Sequence, residues 1–209
     1  CDMDGVLVDF AGYTVKLVND LLDGRDIPWG AEKSGGYHKR IGKIPNSLGK
    51  GWRASKPEDL DHPDVRSFMF NVIGTNPGAF YSALDPLDDG IGQLWQELKA
   101  TGREVYILSA GVPPGGNETT TSEQGKKDWV AKNGLDPVET IVVQGDRKVK
   151  TPQKKAVYAN TNGIQNILID DSEKNTKAWR DAGGFAIDHI PRGSEATKQE
   201  LKKLFNETP

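Results

Sequence analysis

Residues 166–184 read NILIDDSEKNTKAWRDAGG, and the fold class follows from that stretch. Asn166–Ile169 is a short apolar run without alternation, the pattern of a parallel strand covered on both faces. It stops at Asp170-Asp171. Lys174–Ala182 then has a helical pattern, closed by Gly183-Gly184. Downstream, Gly184–Ile187 (GFAI) reads as a weaker strand and Glu195–Phe205 as a last amphipathic helix. Upstream, Thr140–Val143 (TIVV) and Glu104–Leu108 (EVYIL) repeat the apolar pattern. Between and before them lie two helical segments. Asp88–Ala100 puts Ile91, Leu94, Trp95 and Leu98 on one face ahead of Gly102, and Ser122–Asn133 starts behind a Thr/Ser cap. Strand and helix alternate over residues 88–190, which predicts right-handed crossovers and an open, Rossmann-like parallel sheet.

Residues 11–85 are patterned differently. Ala11–Leu22 is helical, with Val15, Val18, Leu21 and Leu22 as its apolar face. Pro28–Lys56 is rich in Gly, Lys and Trp with little periodicity. Pro63–Ile73 is a second helix with Pro in its first turn. The expected organisation is a core of residues 1–10 and 86–209, whose first strand is Val6-Leu7-Val8, interrupted by a small helical, loop-rich cap over 11–85.

The 209 residues are 35% apolar and 27% charged, with 24 Gly and 12 Pro. That Gly and Pro content lies below the roughly 25–30% of low-complexity chains. A formal charge of −3 excludes a general nucleic-acid coat, which needs a basic surplus against phosphates. A single cysteine, Cys1, permits neither an internal disulfide nor a Cys-based zinc site. No run approaches a membrane span and no basic start precedes an apolar stretch. The expectation is a soluble, cytoplasmic protein without a membrane partner.

The chemistry sits at strand ends. Asp2-Met3-Asp4-Gly5 opens the chain, Ser109-Ala110 follows the strand at 104–108, and Asp170-Asp171 follows Asn166–Ile169. Open α/β sheets bind ligands at such carboxyl edges. If the strands are neighbours, four carboxylates and a hydroxyl converge. Groups so charged coexist near neutral pH only with a cation, and carboxylate oxygens with room for water and phosphate favour Mg2+.

The strings DMDGVLVDF (Asp2–Phe10), FYSALDPL (Phe80–Leu87), VYILSA (Val105–Ala110) and LIDDSEKNTKAW (Leu168–Trp179) resemble the haloacid dehalogenase-like phosphatases. Within them they are most similar to the 5′(3′)-deoxyribonucleotidases and their phage and bacterial relatives. The likeness covers residues 1–10 and about 78–190, not the insertion. It implies Asp2 as the nucleophile that forms an aspartyl phosphate and Asp4 as general acid and then base. Ser109, with Ala110 beside it, would bind a phosphoryl oxygen. Magnesium would be held by Asp2, the Asp4 main-chain oxygen and Asp171, with Asp170 contributing directly or through water. A lysine should bridge nucleophile and phosphate. Lys155 is favoured because KAVYA (Lys155–Ala159) resembles a stretch of the phage-type relatives, with Lys150 in reserve among Lys148, Lys150, Lys154 and Lys155. Phe10 sits where relatives place an aromatic against the substrate base, although it also reads as a core residue. Lys126, ahead of Trp129 in a pattern the relatives also show, reads as helix packing plus a solvated charge, with a phosphate contact as the alternative.

In the insertion, Trp29, Tyr37 and Trp52 are candidates to stack a base or to pack the subdomain. Lys33, His38, Lys39, Arg40, Lys43, Lys50 and Arg53 make it locally basic. His38, His62 and His189 show no metal-ligand spacing. Gly111–Thr121 (GVPPGGNETTT) reads as a mobile active-site loop. The family has a full apolar strand before its first acid, so Cys1 is not expected to be the biological start. The resemblance implies a magnesium-dependent phosphomonoesterase acting on nucleoside monophosphates in the cytoplasm, including that of a phage-infected host. No stable nucleic-acid partner is expected, and a homodimer is compatible. The alternatives are a phosphatase of nucleic-acid 3′ or 5′ ends or of a sugar phosphate, and a non-catalytic nucleotide-binding protein.

Overall fold

The computed structural model describes residues 1–23, 25, 52–112, 121–144 and 148–207. Trp29, Lys33, Tyr37, His38, Lys39, Arg40, Lys43 and Lys50 lie outside the described residues, as do positions 113–120 of the expected active-site loop. The chain is mixed α/β and falls into two compact units, Cys1–Asp9 with Asp85–Gly111 and Val130–Pro209, and Phe10–Leu84 with Val112–Trp129. Against the boundaries expected from sequence, Val112–Trp129 groups with the second unit rather than with 86–209.

Among the described residues, the first unit holds six strands: β1 (Ile107–Ala110), β2 (Thr140–Val143), β3 (Asn160–Thr161), β4 (Ile164–Gln165), β5 (Ile167–Asp170) and β6 (Phe185–Asp188). β1 and β2 are parallel, with Ser109 opposite Val142. β5 and β6 are parallel, with Asp170 opposite Asp188. β3 and β4 form a short antiparallel hairpin. Cys1 lies between the two parallel pairs. Its nitrogen donates to Tyr106 O at 2.8 Å and its carbonyl accepts from Leu108 N at 2.9 Å, while Asp2 N donates to Ile169 O at 2.8 Å. Cys1 therefore bonds to the residues on either side of Ile107, the spacing of a parallel ladder. Beneath this rung, Leu108, Ala159, Leu168 and Trp179 form one apolar cluster, with Ile141, Val143 and Ala186 packed against it. Both parallel pairs thus contribute side chains to one apolar cluster.

Val6-Leu7-Val8 is not a strand. The amides of Val6, Leu7 and Val8 all donate to Met3 O, and Gly5 N donates to Val8 O. The chain folds back as a tight turn whose three apolar side chains are fully buried. Burial made this run resemble a strand, but a buried turn meets the same demand. The strand expected at 104–108 begins three residues later, at Ile107, because its partner starts at Thr140. The helix expected over 88–100 is a π-helical stretch, Gly90–Trp95, running into an α-helix, Gln96–Ala100. The wider turn brings Gly90, Leu94 and Trp95 to the buried side. Sequence reading gave no element for the short helix Thr151–Ala156 or for the β3–β4 hairpin. The helix Glu173–Asp181 follows β5, and Ser194–Glu207 ends the described chain.

The second unit contains Phe10–Leu22, a 3-10 turn at Pro57–Asp61, Pro63–Ile73 and Pro77–Ser82, together with most of Ser122–Lys132. Phe10 packs on Phe80 and Tyr81 at ring-centroid distances of 5.7 and 6.5 Å, and Tyr13 packs on Phe80 at 5.8 Å. Trp129 Nε1 donates to Leu84 O at 2.8 Å. Lys126 is fully buried, so it is not the solvated charge expected. Its ammonium lies 4.1 Å from the centre of the Tyr81 ring, a contact stronger in a desolvated setting than in water. Among the described residues no helix is long and apolar enough to cross a membrane.

Candidate active site

In the first unit three buried charged side chains from separate segments meet. Asp2 follows the Cys1 rung and is 4% exposed, with Oδ1 accepting from Met3 N at 2.7 Å. Asp170 is the last residue of β5 and is fully buried. Lys155 comes from the last turn of Thr151–Ala156 and is also fully buried. Its Nζ lies 2.8 Å from Asp2 Oδ2 and 2.7 Å from Asp170 Oδ2. One ammonium thus bridges two carboxylates that are remote in sequence. Lys148 and Lys150 are exposed and Lys154 is half-buried. Successive helical residues diverge by about 100°, which separates Lys154 from Lys155.

Asp171 is the solvent-facing member of the group. Oxygens of Asp2, Asp170 and Asp171 all lie within 4.8 Å of one another. Gly5 makes room for Asp171. Its φ is +72°, and a Cβ there would fall 2.5 Å from Asp171 Cγ and 3.2 Å from Asp171 Cβ. The glycine of Asp-x-Asp-Gly therefore serves both the left-handed backbone and the seat of a carboxylate from far downstream.

The electrostatics follow from burial. Burial alone would lower the Lys155 pKa, but Asp2 and Asp170 outweigh it and hold the ammonium above the ordinary lysine range. Burial, then the charge of Asp2, pushes the Asp170 carboxyl up to about 6 against the opposing pull of Lys155. Asp171 is open to solvent on one side, yet the loss of water on its inner side, then the charges of Asp2, Asp170 and Asp4, pushes it up to about 7. Asp4 is half-buried and close enough for its charge to act on Asp171.

Ser109 is fully buried on β1 and lies two residues beyond Ile107, the position flanked by Cys1. Ala110 is half-buried at the end of that strand. Phe10 belongs to the aromatic cluster of the second unit, as the first residue of its helix. Trp52 is half-buried in that unit, and Arg53 pairs there with Asp23. His62 caps a helix by accepting from Asp64 N at 3.3 Å. His189 is buried, with Nδ1 2.8 Å from Thr197 Oγ1.

No family model matches the chain, and no curated protein matches it. The chemistry therefore rests on the residues. Three carboxylates face one ammonium, leaving an excess of negative charge that a hard divalent cation would balance. The donor set of Asp2 and Asp171, with Asp170 at hand, fits such an ion. Asn175 is the neighbour that sequence reading passed over. Its amide lies on Asp170 at 2.9 and 3.0 Å, and a polar residue in a polar helix sends no signal of that contact.

Proposed function

We propose that the chain is a magnesium-dependent phosphomonoesterase of the haloacid dehalogenase type, acting on nucleoside monophosphates in the cytoplasm. The observation that carries this reading is the Lys155 ammonium bridging Asp2 and Asp170, with Asp171 alongside. The ladder through Cys1 supports a Rossmann-like sheet in the order β2, β1, the Cys1–Asp2 segment, β5, β6. That order would place the acids at adjoining strand ends. Residues 11–85 would form the inserted cap. The preference for a nucleotide rests on the sequence resemblance.

In this mechanism an Asp2 carboxylate oxygen attacks phosphorus in line, and the ester P–O bond breaks with its electron pair going to the leaving oxygen. Asp4 delivers a proton to that oxygen. Water then attacks the phosphorus of the aspartyl phosphate, Asp4 takes up its proton, and the bond to Asp2 breaks to release inorganic phosphate. Lys155 keeps the nucleophile oriented and offsets charge on the phosphoryl oxygens, and Ser109 would position one of them. Magnesium, held by Asp2 and Asp171 with the Asp4 carbonyl, would neutralise phosphoryl charge.

The test is phosphate release across nucleoside monophosphates, sugar phosphates and phosphorylated oligonucleotides. Activity is expected with magnesium, to be lost on chelation and in folded Asp2→Asn. Turnover that survives either perturbation overturns the mechanism. A preference for oligonucleotide ends or sugar phosphates overturns the substrate assignment.

A further inference from the structure

Asn175 takes no part in the chemistry proposed above, yet it is buried to 8% exposure. It stands at the third position of the helix Glu173–Asp181, whose N-cap is Ser172. A glutamate or glutamine at that position commonly reaches back to the N-cap amide. Here the Ser172 amide donates to Asp170 Oδ1 at 2.9 Å, and the Asn175 side chain turns to the same carboxylate. Its Nδ2 lies 2.9 Å from Oδ1 and 3.0 Å from Oδ2, and Lys155 Nζ takes Oδ2 at 2.7 Å. Three donors thus cover both oxygens of Asp170, filling much of the roughly four acceptor directions a carboxylate offers.

We infer that Asn175 is a positioning residue: it clamps Asp170 so that Asp170 anchors the Lys155 ammonium on Asp2 and is withheld from a cation at Asp2 and Asp171. The amide suits this task because it donates without adding charge. An acid at 175 would set another negative group against Asp170, and an apolar residue would strip a buried carboxylate of a donor. The inference deepens the phosphatase reading, but its decisive readout does not depend on turnover.

The experiment follows the Lys155 ammonium by NMR on protein labelled with 15N in its lysines, comparing wild type with Asn175→Asp and Asn175→Ala. In the wild type, a buried ammonium held on two carboxylates is expected to give a slowly exchanging signal. In either variant its proton exchange should accelerate by about 10- to 100-fold, the shift expected on losing a charge-assisted hydrogen bond. Manganese binding, read by its paramagnetic resonance, should stay within about twofold or tighten, because a freed Asp170 can turn to the ion. With a phosphate ester as substrate, kcat should fall by roughly 10- to 100-fold while KM changes little.

An unchanged Lys155 signal in either folded variant overturns the inference. Should both variants fail to fold, exchange of the Asn175 side-chain amide protons in the wild type decides. Slow exchange supports the clamp and fast exchange refutes it. Wild type without phosphatase activity counts against the function proposed above and leaves the exchange result to judge the clamp.

Discussion

Gly5→Ala separates backbone strain from the geometry of the acidic cluster. The residue has φ +72°, and its missing Cβ points at the Asp171 carboxylate. An alanine in this left-handed region costs about 1–2 kcal/mol. Gly102, at φ +69° with no atom within 4 Å of an added Cβ, carries the strain alone, so Gly102→Ala is the matched control. The second cost belongs to Gly5. A Cβ 2.5 Å from Asp171 Cγ is short of an ordinary carbon contact of about 3.5–4.0 Å, so the carboxylate must withdraw by roughly 1 Å. Without magnesium that withdrawal also relieves repulsion from Asp2 and Asp170, and the two variants should lose similar stability. With magnesium they should part. Magnesium tolerates little departure from oxygen distances near 2.1 Å, so a retreat of this size should weaken binding by about 10- to 100-fold. Urea denaturation with and without saturating magnesium measures the difference. Wild type and Gly102→Ala should gain equally from the ion, and Gly5→Ala should gain about 1.4–2.7 kcal/mol less. An equal gain in Gly5→Ala would refute the claim that this glycine seats a metal-binding carboxylate.

Lys155→Met leaves Asp2 and Asp170 facing each other without their shared cation, and should cost about 3–5 kcal/mol at pH 8. The loss should shrink at pH 5, where a proton can replace the ammonium, and chemical denaturation at both pH values checks it. For the unmodified protein without metal, the sign follows from the raised carboxyls. Asp170 at about 6 and Asp171 at about 7 stand above their ordinary 3.8, so the folded state holds more protons than the unfolded state in between. Their contribution is full below about pH 4 and is lost as pH rises through 6 to 7. Magnesium, which needs the ionised acids, should flatten or reverse that slope. His189, held below its ordinary range by burial, works in the opposite direction, so the comparison is with Asp171→Asn: a metal-free wild-type curve that does not fall relative to the variant over this interval would contradict the raised Asp171 carboxyl.

What could be read from the chain tracked local and pairwise patterns. Thr140–Val143 and Pro63–Ile73 occupy the expected spans, because a β-branched run and a proline-led amphipathic stretch each admit one economical conformation. The strands at Ile167 and Phe185 begin one residue late, within the usual uncertainty of element ends. Val6-Leu7-Val8 misled because apolar content reports burial and not backbone direction. The meeting of Asp2 with Asp170-Asp171 was legible only in part: Asp170-Asp171 closes an apolar run, whereas Asp2 follows none in this sequence and was placed by the resemblance of its DMDG string. Lys155 was separable from Lys148, Lys150 and Lys154 only by resemblance, since a buried lysine looks like its solvated neighbours until its partners are seen. Asn175 left no trace in the sequence, because its partner lies in the preceding strand.

The seating of the Cys1–Asp2 segment bears on how the protein matures. Lys155 and Asp170 meet across 15 residues, whereas Cys1 reaches Tyr106 across 105, a closure that costs about 1.7 kcal/mol more in chain entropy. During synthesis Asp2 is the earliest of these groups to leave the ribosome, yet its partner at Asp170 is among the latest. The Cys1–Asp2 segment would therefore gain its partners only once the residues around Asp170 have emerged, and the cluster of Asp2, Lys155 and Asp170 would form late in folding.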